Sequence, residues 1–215
     1  MSIPDDPHRG QPVLAAGAPL TEAEGVMILV HGRGANAADI LGLAEALERP
    51  KLACLAPDAA GHVWYPRPFT APQAANQPWL ASALSLINRL FADLSEEGIP
   101  AERVVLLGFS QGACLSLEYA ARNPRRYGGI VALSGGLIGE AIAPASYPGS
   151  LAGTPLFLGC SDVDPIIPLQ RVQQSTAVMK QLGADVTEHI YPGGGHTVVA
   201  DEIDAIRRIV DRMVS

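Results

Sequence analysis

A serine, a carboxylate and a histidine follow one another along this chain, each just after an apolar run, and together these three side chains can turn a hydroxyl into a nucleophile. Ser110 stands between two glycines in Gly108-Phe109-Ser110-Gln111-Gly112, after the run Val104-Val105-Leu106-Leu107 and before small and apolar residues at helical spacing. The pattern reads as strand, sharp turn, helix. In such a turn a side chain two residues either side of the serine would collide with the neighbouring backbone, and Gly108 and Gly112 remove that bulk. The turn raises the Ser110 hydroxyl above the carboxyl end of the strand. It also leaves the Gln111 backbone N–H at a helix N-terminus, where a negative oxygen is stabilised.

A serine hydroxyl is a weak nucleophile at neutral pH, so a histidine must take its proton and an acid must hold that histidine in the right tautomer. His196, after Pro192-Gly193-Gly194-Gly195, is the candidate base, because the glycines let a late loop return to the sheet edge. His8 falls in the N-terminal tail, His31 and His62 in other loops, and His189 inside a strand. Asp164 is the candidate acid and Asp162 its rival. Asp164 is preferred because Pro165 fixes the backbone beside it and Ile166-Ile167-Pro168 can pack against a substrate pocket. A Gly-x-Ser-x-Gly match alone arises by chance, and a histidine after glycines is usually a polar loop residue. The reading rests on the three placements together.

The elements that must position these residues alternate. Apolar runs at 26–30, 52–56, 104–107, 129–133, 155–159 and 185–191 read as strands, with a short edge strand at 12–16. Helical patterns occupy 37–48, 79–97, 111–123 and 169–182, and an amphipathic helix carrying Ile203, Ile206, Ile209, Val210 and Met213 closes the chain. Strands alternating with helices predict an α/β fold, a mostly parallel sheet with helices on both faces, in one domain over residues 1–215. The loop His31-Gly32-Arg33-Gly34 follows a buried strand, and the Arg33 N–H is the candidate second donor to a negative oxygen. It lacks the Lys and Ser/Thr of a phosphate loop. Residues 61–80 hold both tryptophans and many prolines. They are read as a lid-like pocket wall, with Trp64, Tyr65 and Phe69 as substrate contacts beside Ile166, against the alternative of a structural cover over the sheet. Pocket depth is expected to depend on this segment and on the irregular residues 137–153.

Composition excludes several classes. A net charge of −7 argues against a nucleic-acid partner, and no apolar stretch is long enough for stable membrane insertion. The N-terminus, Met1 to His8, lacks a basic and then apolar signal pattern, which makes a cytoplasmic location the expectation. Cys54, Cys114 and Cys160 have no metal-ligand spacing and read as small buried hydrophobes. No metal and no cofactor is expected. A homodimer is neither required nor forbidden.

The chain resembles the carboxylesterase/phospholipase branch of the α/β-hydrolases, which includes acyl-protein thioesterases and small esterases. The resemblance runs from about Ala16 onward. Its carriers are His31-Gly32-Arg33-Gly34, Trp64-Tyr65-Pro66, Gly108-Phe109-Ser110-Gln111-Gly112-Ala113, Asp162-Val163-Asp164-Pro165-Ile166-Ile167-Pro168 and Gly194-Gly195-His196. It implies an α/β-hydrolase fold, a Ser110–His196–Asp164 triad and an oxyanion hole from the N–H groups of Arg33 and Gln111. It also implies hydrolysis of small to medium carboxylic esters through an acyl-enzyme. The alternatives are an acyl-protein or acyl-CoA thioesterase or lysophospholipase, or a non-catalytic ligand-binding relative. Two departures bear on substrate choice: Cys160-Ser161-Asp162 replaces the branch's usual His-Gly-Asp, and Arg33 replaces a common Leu. The Trp64-Tyr65-Pro66 segment is closer to bacterial small-ester hydrolases than to depalmitoylating enzymes.

Overall fold

Runs of apolar residues too long to face water on either side form the centre of one sheet in the computed structural model, which describes residues 6–215. The reading of Met1–Asp5 lies outside the described residues. Strands β1 (Val13–Gly17), β2 (Gly25–Val30), β3 (Leu52–Pro57), β4 (Val104–Phe109), β5 (Gly129–Leu133), β6 (Pro155–Ser161) and β7 (Asp185–Tyr191) pair in the order β1-β3-β2-β4-β5-β6-β7. Only β1 is antiparallel to its neighbour. The helices are α1 (Ala37–Leu47), α2 (Trp79–Glu96), α3 (Gln111–Arg122), α4 (Leu169–Gln181) and α5 (Ala200–Val214).

Alternation along the strands builds two cores. Val26, Ile28, Val30, Val104 and Leu106 face the α2, α3 and α4 side, whereas Met27, Leu29, Val105 and Leu107 face α1 and α5. The strand order reverses at the adjacent pair β2 and β4, which opens a crevice beyond their carboxyl ends. The loops carrying Arg33 and Ser110 leave from these two strands, whose register pairs Val30 with Gly108. The site's position therefore follows from topology. β6 runs two residues beyond the predicted strand, so Cys160 and Ser161 belong to the sheet.

The sharp turn after β4 requires both of its glycines. Ser110 sits at φ 55°, ψ −118°, a left-handed conformation that the surroundings impose. A Cβ on Gly112 would overlap the carbonyl oxygens of Val30 and His31, and one on Gly108 would overlap the Gly112 backbone. Since backbone cannot turn aside as a side chain can, Gly112→Ala is expected to cost about 3 kcal/mol or more. Thermal unfolding checks this, and an unchanged melting temperature would mean that α3 slides freely on β2.

Two histidines, one read as part of a tail and one as part of the loop after β2, are interior. His8, assigned to a tail, is fully buried: its backbone N–H donates to Ser82 Oγ, the Ala60 N–H donates to its Nδ1, and its Nε2–H donates to the Trp64 carbonyl. His31 is also fully buried, with Nε2 accepting from the Ala59 N–H and Nδ1–H donating to the Gly32 carbonyl. Each ring accepts at one nitrogen and donates at the other, which only the neutral form can do. Burial lowers both pKa values from the ordinary 6.5. The unfolded chain takes up these protons first, so the stability they supply is complete above about pH 6.5 and is lost as the pH falls below it. Glu202, which burial pushes up to about 7 from 4.5, acts in the opposite sense between those values. The imidazole effect is therefore read as a difference: His31→Asn is expected to be less stable at pH 7.5 but to lose less on acidification to pH 5.5 than the wild type. Equal losses would contradict it.

The Pro-rich segment contains two short 3-10 turns, Ala60–His62 and Gln73–Asn76. Residues 137–153, expected to bear on pocket depth, do not line the cavity themselves, although the Gly139 N–H donates to the Phe69 carbonyl at 2.7 Å. Glu118, buried on α3, accepts from the Ile138 N–H and the Tyr147 hydroxyl, and Arg171 donates to the carbonyls of Leu137, Gly139 and Glu140. These bonds hold the segment on the α3 and α4 flank.

Candidate active site

The three chemistry-bearing residues converge beyond the carboxyl ends of β4, β6 and β7. His196 Nε2 lies 2.8 Å from Ser110 Oγ, and His196 Nδ1 lies 2.7 Å from Asp164 Oδ2. The second oxygen of Asp164 accepts from the N–H groups of Ile166 at 2.8 Å and Ile167 at 2.9 Å. Burial raises the Asp164 carboxyl, but the His196 hydrogen bond and the N–H groups of Ile167 and Ile166 outweigh it, and the group lies below the usual carboxylate range. An ionised Asp164 fixes the proton of His196 on Nδ1, which leaves Nε2 free to accept the Ser110 proton.

The rival acid has a different position. Asp162 Oδ1 accepts from the Gly193 N–H at 2.8 Å, and Ser161 Oγ accepts from the Gly195 N–H at 3.1 Å. Gly193 and Gly195 both take positive φ values, 66° and 68°, as a loop bending back over the sheet requires. Asp162 and Ser161 thus anchor the loop that carries His196. The Phe109 ring packs against the imidazole, with centroids 5.1 Å apart. Cys160 Sγ lies 3.7 Å from Asp164 Oδ2, and all three cysteines are buried and free.

The two candidate donors to an oxyanion also lie at the crevice. A methyl group on Gly32 would sit 3.4 Å from Ser110 Cβ, which shows how closely the β2 loop approaches the turn. Among the described residues, neither the Arg33 nor the Gln111 backbone N–H is committed to a loop or side-chain acceptor. Their side chains meet on one carbonyl: Gln111 Nε2 donates to Tyr65 O at 2.8 Å and Arg33 Nη2 donates to it at 2.7 Å. Gln111 Oε1 also accepts from the Trp64 N–H at 3.0 Å. The spacing of the two loops is therefore tied to the Pro-rich wall, a role for these side chains that the sequence reading missed. Two polar side chains next to glycines at paired strand ends were the available signal.

A cavity of about 560 Å³ opens at Ser110 and His196. Tyr65, Phe69 and Ile166, expected as substrate contacts, line it, and so do Pro66, Pro68, Thr70, Phe109 and Ile167. Trp64 does not. It is fully buried, its indole Nε1–H donates to the His31 carbonyl at 2.8 Å, and its ring packs on His31 with centroids 4.9 Å apart. The wide, flat indole fills core space beneath the wall, so residues 61–80 serve as both structural cover and pocket wall. Among the described residues no cluster of His, Cys, Asp and Glu is placed to hold a metal, and no helix is long and apolar enough to cross a membrane.

The chain has relatives among known proteins. A family model described as Phospholipase/Carboxylesterase matches residues 14–213. Acyl-protein thioesterase 1 of Gibberella zeae is 35% identical over 121 residues, 55% of this chain and 52% of that protein. The Saccharomyces cerevisiae protein of that name is 31% identical over 140 residues, 62% of this chain and 60% of its own length. The chain thus spans about half the length of these curated relatives. Among solved structures, a phospholipase/carboxylesterase from Dyadobacter fermentans superposes with a TM-score of 0.90 at 42% identity, covering 94% of this chain and 96% of that one. A Bacillus cereus carboxylesterase shares the fold, with a TM-score of 0.75 at 20% identity over 95% of each chain.

Proposed function

Because the chain belongs to the phospholipase/carboxylesterase family, we propose that it is a serine hydrolase that cleaves small to medium carboxylic esters through an acyl-enzyme. The observation that carries this reading is the continuous hydrogen-bonded line from Ser110 Oγ through His196 to Asp164. His196 Nε2 takes the Ser110 proton as Oγ attacks the ester carbonyl carbon. The carbonyl oxygen becomes negative and is received by the N–H groups of Arg33 and Gln111. When the tetrahedral intermediate collapses, His196 returns the proton to the leaving alcohol. Water then attacks the acyl-enzyme with the same assistance and releases the acid. The site needs no cofactor for this sequence. A cavity of about 560 Å³ with mainly apolar walls suits a substrate of moderate size.

A second reading is favoured by the relatives' names: the curated proteins matched at 31–36% identity are acyl-protein thioesterases, and thioester cleavage would use the same residues. A series of 4-nitrophenyl esters and matched acyl thioesters of increasing chain length separates the two. The ester reading expects kcat/KM to peak at short or medium acyl chains and to exceed that of the matched thioesters by about tenfold or more. A maximum at long-chain thioesters would overturn it in favour of the second.

A further inference from the structure

Among the described residues, Arg33 is the one arginine, lysine, aspartate or glutamate that lines the cavity. Its guanidinium is engaged but not neutralised. Nη2 donates to the carbonyls of Tyr65 at 2.7 Å and Arg67 at 3.3 Å, while Nε and Nη1 have no protein acceptor among the described residues. Among the described residues no carboxylate lies within ion-pairing distance of it, whereas Arg49, Arg122, Arg207 and Arg212 pair with acidic residues. Other arginines, Arg103, Arg125 and Arg126 among them, also have no ion pair among the described residues, and what sets Arg33 apart is its place at the mouth of an apolar pocket. The next residue along the wall to bear a charge, Arg67, is exposed and also lacks an ion pair among the described residues.

We propose that the Arg33 guanidinium is the specificity element of this site and selects esters bearing a carboxylate or similar anionic group. The inference rests on the ester-hydrolase reading above. Bonds to neutral carbonyls leave the positive charge intact and hold the guanidinium in place, so little ordering remains to be done when an anion arrives. Arg33 is exposed at the cavity mouth, so salt screens its attraction for an anion, but a hydrogen bond between charged groups is still stronger than one between neutral groups. The same residue supplies the backbone N–H for the oxyanion. The anionic group must therefore lie within one side-chain length of the scissile carbonyl, on the acyl or the alcohol part of the substrate itself.

The test compares matched esters in the wild-type protein and in Arg33→Met. On the acyl side 4-nitrophenyl hexanoate is set against 4-nitrophenyl hydrogen adipate, and on the alcohol side 4-carbamoylphenyl hexanoate against 4-carboxyphenyl hexanoate. One anionic ester is expected to show a kcat/KM advantage that Arg33→Met reduces by about tenfold or more relative to its neutral partner. High salt should weaken that advantage in the wild type, and Arg33→Lys should restore part of it. Some loss on both esters is expected from Arg33→Met, because the Tyr65 clamp is lost as well. An equal loss on both would overturn the proposal and leave Arg33 as a clamp. If the variant does not fold, the wild type decides: neutral esters turned over with no salt-sensitive preference for either anionic ester overturn the proposal. Failure to hydrolyse any of the four esters would instead remove the hydrolase reading.

Discussion

Ser110→Ala is expected to lower kcat on 4-nitrophenyl butyrate by on the order of 10⁵-fold or more, with the melting temperature changed by no more than about 2 °C. The hydroxyl oxygen removed is the atom 2.8 Å from His196 Nε2. Among the described residues no other hydroxyl or thiol is hydrogen-bonded to His196, and Cys114, which lines the cavity, is fully buried, with desolvation pushing its thiol up to about 12, far from the thiolate needed for attack. The substitution leaves the turn in place, because Ala carries the same Cβ as Ser at φ 55° and the flanking glycines remain. Labelling by a fluorophosphonate should disappear in parallel. Retained turnover in a folded variant would place the nucleophile elsewhere and end the proposed mechanism.

Asp164→Asn is expected to lower kcat by about 10⁴-fold, whereas Asp162→Asn should stay within about threefold of wild type. The two carboxylates are close in sequence but have different partners. An amide at 164 can present N–H to His196 Nδ1 and reverse the tautomer, which turns the proton of Nε2 toward Ser110 and removes the base. Its ring orientation need not change, so the loss should fall mainly on kcat. At 162 the amide oxygen of Asn still accepts from the Gly193 N–H, and the loop that carries His196 keeps its anchor. Kinetics of both variants on one substrate decide the assignment, and a larger fall at Asp162 would reverse it.

The chemistry-bearing residues were legible because each sits at a place where local sequence constrains backbone. Gly108 and Gly112 around Ser110 mark a turn that tolerates no side chain, and apolar runs such as Val26–Val30 mark strands covered on both faces. The preference for Asp164 over Asp162 also came from a local feature, the proline that follows it. Where the expectation missed, the deciding contact was between segments distant in the chain. His8 looked like part of a tail until Ser82, Ala60 and Trp64 surrounded it. Trp64 looked like a pocket residue because aromatic side chains among prolines often line sites, yet the side chain's own N–H found the His31 carbonyl and the ring went inward. Residues 137–153 do not line the cavity, because Glu118 and Arg171 hold their backbone on the α3 and α4 flank, through the Ile138 N–H and the carbonyls of Leu137 and Gly139.

Alternation of apolar runs and helical patterns, the two glycines around one serine and the order of serine, acid and histidine were enough by themselves to determine the fold class and nominate the reacting groups, since these depend on steric limits and periodicities that act over a few residues. Tertiary structure alone decided which carboxylate touches the imidazole, that Gln111 and Arg33 share the Tyr65 carbonyl, and that an arginine stands unpaired at the cavity mouth. Those outcomes depend on distances between segments tens of residues apart, which the packing of the sheet sets and no local pattern encodes.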